Sequence, residues 1–225
     1  MFGKESKPDP YYSPATSGLP DWLLKLGLAG PQQIGNLVLV PLVNGPVTGE
    51  PYLTQHEATQ RGVLEFLEQG EGSVPQVEAW NHGGTPTLIL EGDILIGAKQ
   101  NREPGARRAS VDYVVGENQL GVIALWKDAL LGIEIVGHPR TWKEIAQQRI
   151  PSLVLAADAA EQDAASRPAT HARSASEWLA VIAAARIDAR PAIGLGDDVA
   201  FTGDTVYGSC LWHEGRPAHL AAFGS

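Results

Sequence analysis

The sequence predicts an α+β fold, with mainly antiparallel or mixed, sandwich-like β-sheet in the first 135 residues, then packed helices and a closing carboxyl-terminal hairpin. Three observations carry this. Short apolar runs rich in β-branched residues, each bounded by Gly, Pro, Asn or Asp, recur through the first part of the chain. An alanine-rich stretch from Leu153 to Ala189 then changes its character to helical. Finally, two apolar runs, roughly Thr205 to Trp212 and Ala218 to Phe223, flank the turn residues Glu214-Gly-Arg-Pro217.

Residues Met1 to Pro20 hold four prolines and no apolar periodicity, so an extended arm over 1–20 is expected to precede a single domain over 21–225. Asp21 reads as the N-cap of a short helix from Trp22 to Leu28. Leu37 to Val43, between Gly35-Asn36 and Asn44-Gly45-Pro46, reads as a buried strand. Thr54-Gln-His-Glu57 has capping-box spacing, which opens a helix from about Gln55 to Arg61. Beyond Gly62, the runs Val63 to Glu68, Val74 to Trp80 and Thr85 to Leu90 predict an antiparallel meander, continued by Ile94 to Lys99, Ser110 to Val115 and Gly121 to Trp126. Thr141-Trp-Lys-Glu144 is a second capping box, for a helix that Pro151 should end or redirect. A last helix starts at Ser174 and carries Trp178, Leu179, Ile182 and Ile187.

Composition narrows the function. A net charge of −9 disfavours nucleic acid and anionic membranes, which select basic surfaces. The expected partner is an anionic small molecule, with no nucleic acid and no membrane, and homo-oligomerisation is left open. A single cysteine, Cys210, and no apolar leader in the first 21 residues predict the cytoplasm. Cys210 lies in an apolar run and reads as a buried, inert thiol. The six histidines lack zinc-site spacing, and Gly194-Leu-Gly-Asp-Asp-Val completes no dinucleotide fingerprint. No P-loop occurs either, so neither a metal nor a cofactor is expected. Asp197, Asp198 and Asp204, beside Gly196 and Gly203, read as a solvated acidic loop.

The chemically richest segment is Glu91-Gly-Asp-Ile-Leu-Ile-Gly-Ala-Lys-Gln-Asn-Arg102. It leaves an apolar run through four consecutive donors, Lys99, Gln100, Asn101 and Arg102, which together suit a phosphate or carboxylate group. In a regular strand they would alternate between two faces, and Gly97 is placed to bend them together as a bulge. Glu91 and Asp93 are the candidate catalytic pair, since neighbouring carboxylates split their proton affinities. The bland alternative is that Lys99 and Arg102 form surface ion pairs with these acids or Glu103.

Tyr52-Leu-Thr54 with Glu57-Ala58, Val77, Asn81, Leu88-Ile-Leu-Glu-Gly-Asp93 and above all Gly97-Ala-Lys-Gln-Asn-Arg102 resemble a bacterial domain family named for its association with ADP-ribosylglycohydrolases and rhodanese-phosphatases. The hairpin ending in Ala222-Phe223 resembles that family's closing strand pair. The resemblance implies a domain of unestablished activity linked to ADP-ribose or nucleotide metabolism. Relatives usually follow the Gly-Ala-Lys-Gln-Asn-Arg segment with a strand bearing Cys and Glu and then Gly-Arg-Trp, whereas Val111 to Trp126 here offers only Glu117 and Trp126. Two functional expectations follow: a domain that binds an ADP-ribose-like anion, with processing left open, or a non-catalytic assembly module in which this segment is structural.

Overall fold

The computed structural model describes residues 13, 15–69, 76–90, 111–162 and 172–225. Among them, nine strands form one open antiparallel sheet. At one edge β1 (Gly27–Leu28) and β2 (Gln32–Ile34) both pair with β3 (Leu37–Val43). The sheet continues through β8 (Gln119–Trp126), β9 (Ala129–Ile135), β13 (Arg216–Gly224), β12 (Val206–His213) and β11 (Asp197–Thr202) to β10 (Arg186–Pro191). Outside it, β4 (Leu53–Thr54) pairs in parallel with β7 (Thr87–Leu88), and β5 (Leu64–Gln69) pairs with β6 (Gln76–Asn81). The expected α+β class with a mainly antiparallel sheet and a closing hairpin is what the chain forms.

Two tight hairpins set the sheet's register. Lys127 and Asp128 adopt φ of 49° and 64° between β8 and β9, and Glu214 and Gly215 adopt 51° and 75° between β12 and β13. These are the left-handed pairs that match the twist of adjoining strands. Bulges then re-aim individual side chains: Leu42 pairs with Gly121 and Val43 with Gln119, so Leu120 is the extra residue and joins the core on one face.

Helices cover the two faces. Helix α1 (Ala15–Leu23) and helix α4 (Ala175–Ala183) place Leu19, Trp22, Trp178 and Ile182 against Leu42, Ile123, Ile133, Phe201, Val206 and Leu220. Helix α3 (Pro139–Gln162) places Trp142, Ile145, Ile150 and Leu153 against Leu37, Leu39, Val122, Ala124 and Trp126 on the other face. Each buried leucine- or isoleucine-sized side chain contributes about 1.5–3 kcal/mol. Over β11 to β13 the α3 face is less covered, and Tyr207, Ser209, Ala200 and Phe223 are exposed there.

Helix α2 (Gln55–Gln60) forms at the Thr54 capping box as expected, whereas several other expected elements differ. Helix α1 starts at Ala15, ahead of the predicted Trp22, because Ser13 Oγ caps the amide of Ala15 and Ala15, Leu19, Trp22 and Leu23 make one apolar stripe. Helix α3 begins at Pro139, whose missing N–H suits a first turn, and the His138 ring nitrogen accepts the Arg140 amide. It then runs through Pro151. The buried row Ile150, Leu153, Ala157 and Ala160 holds it on the sheet, which outweighs the single backbone bond a proline removes. Strand β7 leaves the expected meander for β4, and residues 111–115 carry no regular structure, tied instead by Gln32 to both backbone groups of Val114. Ile187 belongs to β10, where it and Ala189 pack against the core while Arg186, Asp188 and Arg190 point outward with a period of two. Asp197 and Asp198 lie in β11, not in a solvated loop; Asp197 is buried and accepts the Ser13 hydroxyl at 2.5 Å, and Asp198 binds Arg190.

Candidate functional site

The expected catalytic pair, Glu91 and Asp93, the donor run Lys99 to Arg102 and the hinge Gly97 all lie outside the described residues. The chain enters that stretch from Leu90. Leu90 lines two cavities, as do Leu88 and Arg149. The smaller, about 180 Å³, is walled by Thr54, His56, Glu144 and Gln148. The larger, about 490 Å³, lies over the open part of the α3 face and is lined by Ile89, Glu134, Asp198, Ser209, His219 and Phe223 among others.

Strand register places the polar groups of the larger cavity. Ser209 on β12 stands opposite Ala221 on β13, which stands opposite Glu134 on β9, and His219 lies two residues before Ala221 on the same face. The His219 ring reaches diagonally to Glu134, with Nε2 2.6 Å from Oε2. Both side chains are largely withdrawn from water, at 18% and 10% exposure. A carboxylate only accepts, so Nε2 carries the proton and, in the neutral ring, Nδ1 holds the lone pair. No hydrogen bond reaches Nδ1 among the described residues. Phe223 and Tyr207, directly opposed across β12 and β13 with ring centroids 5.8 Å apart, extend the wall with an exposed aromatic surface.

A second polar group braces the connection between β3 and β4. The Arg216 guanidinium, 1% exposed as a residue, donates to the carbonyls of Gly49 and Glu50 and lies 4.8 Å above the Tyr52 ring. Tyr52 in turn hydrogen-bonds His213 Nδ1 at 2.8 Å. Burial pushes the Tyr52 phenol above its ordinary range, against the opposing pull of Arg216. Burial and the Arg216 and Arg140 charges hold His138 below the usual imidazole value, with Glu50 opposing. Burial raises the Cys210 thiol far above the ordinary range, which leaves it inert, as its sequence setting predicts. Among the described residues no group of three or more His, Cys, Asp or Glu is arranged to hold a metal ion. No described helix is long and apolar enough to cross a membrane.

Sequence reasoning passed over Glu134 and His219. Their separation of 85 residues leaves no local motif. A signal was present all the same, since each is a lone ionisable residue inside a buried strand, Leu130-Leu-Gly-Ile-Glu-Ile135 and Ala218-His-Leu220, and such a residue needs a partner.

An open antiparallel sheet with helices on both faces and a polar cavity on one of them defines an α+β domain. The chain belongs to the ARG and Rhodanese-Phosphatase-superfamily-associated Protein domain family, whose sequence model matches residues 25–104 and 107–223. Neither the curated proteins nor the solved structures give a match.

Proposed function

We propose that this domain binds an anionic, nucleotide-derived small molecule of the ADP-ribose kind, with Lys99, Gln100, Asn101 and Arg102 donating to its phosphate or carboxylate groups and Glu91 and Asp93 beside them. The observation that carries the reading is the junction at Leu90: the residue that leads into Glu91 lines the 490 Å³ cavity, which is roomy enough for part of such a ligand. The family's association with rhodanese-phosphatase proteins agrees with it. Calorimetry with ADP-ribose tests it. Charge-assisted hydrogen bonds are worth roughly 1.5–3 kcal/mol each, so Lys99→Ala and Arg102→Ala should each weaken binding by about 10- to 100-fold. Wild-type binding that both variants retain would remove these residues from the site.

A second reading, an assembly module, draws on the β10–β11 turn, where Ile193 and Leu195 are exposed. Absence of ADP-ribose binding together with concentration-dependent sedimentation would favour it.

A further inference from the structure

We infer that His219 is a general base oriented by Glu134, and that the cavity they line hydrolyses a carboxylic ester. Only the anionic character of the substrate rests on the binding reading above. The pair itself stands on the sheet geometry.

Two ionisable side chains placed inside a sheet lose most of their hydration, and a well-packed apolar pair of similar volume is commonly as stable or more so. A purely structural role would surround the pair with packed side chains on every side. Here Val122 opposite Glu134 and Leu211 opposite His219 pack against it, while Ala221 opposite Glu134, and the exposed Ser209 beyond it, open into the cavity. Glu134 engages Nε2 and fixes the tautomer, which leaves Nδ1 as the basic atom. The arrangement satisfies the orienter-to-base half of a hydrolytic site, at 2.6 Å.

The chemistry then balances with water alone. Nδ1 takes a proton from a water molecule as the water oxygen bonds to the ester carbonyl carbon, giving a tetrahedral oxyanion and an imidazolium that the Glu134 carboxylate stabilises. When the bond from that carbon to the leaving oxygen breaks, the imidazolium returns its proton to the departing alkoxide. The products are an acid and an alcohol, and both residues end as they began.

A carbonyl centre fits this wall better than a phosphoryl centre. Phosphoryl transfer spreads negative charge over three oxygens and needs cations around the reacting atom. Glu134 is hydrogen-bonded to His219 itself, so a phosphoryl group placed at that ring would meet a carboxylate. The tetrahedral intermediate of an ester carries a single negative charge, on one oxygen, and so asks for less cationic compensation.

The test uses two chromogenic esters, 4-nitrophenyl acetate and the 4-nitrophenyl half-ester of succinate, whose free carboxylate supplies the anionic end. Saturable hydrolysis by the full chain is expected. In His219→Gln, whose amide nitrogen can still donate to Glu134, kcat should fall by about 100-fold or more while the melting temperature stays near wild type. Glu134 is a positioning residue, so Glu134→Gln should lower kcat by at least about tenfold and leave KM unchanged. A wild-type rate no higher than that of His219→Gln overturns the inference. Equal rates on the two esters, with the His219 effect intact, leave the base in place and count against the anion-binding reading instead. A preference for the succinate ester that disappears in Arg102→Ala supports both.

Discussion

Replacing Arg216 by alanine tests what holds the segment between β3 and β4. The guanidinium is buried, its Nη1 reaches the Gly49 carbonyl at 3.4 Å, its Nη2 binds the Glu50 carbonyl, and no carboxylate pairs with it within 4 Å among the described residues. Hydrogen bonds to a charged donor are worth roughly 1.5–3 kcal/mol. The low end applies here, because Gly49 and Glu50 are exposed and their carbonyls can be rehydrated. Contact with the Tyr52 ring adds about 1 kcal/mol. The buried methylene stem adds about 2 kcal/mol at roughly 0.8 per CH₂ group. Relief of an unpaired buried charge offsets part of this, and the net expectation is a loss of about 3–4 kcal/mol. With a urea slope near 3 kcal/mol per molar, the unfolding midpoint of Arg216→Ala should drop by about 1 M. Arg216→Met keeps the stem, removes the charge, and should fall by less than half as much. Hydrogen exchange should quicken from Val47 to Leu53 in both. A loss under about 1 kcal/mol for alanine, with protection of that segment unchanged, would show that the guanidinium does not hold it.

Two further perturbations follow from local geometry. Burial would raise the Glu57 carboxyl, but the Thr54 amide and the Arg140 guanidinium outweigh it and hold it below the usual range. Its stabilisation is therefore present above the unfolded value of about 4.3 and is lost as pH falls through the lower folded value. Glu57→Gln should cost about 1 kcal/mol at pH 7, and urea titrations should show that gap closing as the pH is taken below about 4. At Gly208, a Cβ would sit 2.3 Å from the Ala221 carbonyl oxygen and 2.4 Å from the Phe201 ring. Gly208→Ala should thus cost about 3 kcal/mol and lower the melting temperature by roughly 10 °C, and an unchanged melting curve would mean that β12 and Phe201 shift freely.

What could be read from the sequence was what neighbours in the chain decide. The capping boxes at Thr54 with Glu57 and Ser174 with Glu177 form as spaced, because both partners lie within one turn. The strand Leu37–Val43 is bounded by its own turn residues. Thr141 had the same capping spacing, yet Pro139 and His138 start that helix first, and packing on the sheet carries it through Pro151. The Arg186 to Pro191 strand was hidden by the preceding alanines, and only its ladder with β11 reveals the period of two. The donor run at 99–102 is legible by composition. Glu134 and His219 meet only because β13 inserts beside β9, a pairing between distant parts of the chain.

The hydrogen bond from Ser13 to Asp197 spans 184 positions of sequence, and helix α1 packs on α4, β10 and β13. During synthesis, α1 emerges long before much of the surface it will cover exists. At about 5–20 residues per second, the ribosome needs roughly 10 to 40 s to deliver the partner strands. Throughout that interval the stripe of Leu19, Trp22 and Leu23 lacks the part of its native seat that α4, β10 and β13 supply. Such a topology folds late and as a whole, and its nascent amino-terminal region is where a holding chaperone would find the longest-lived apolar target.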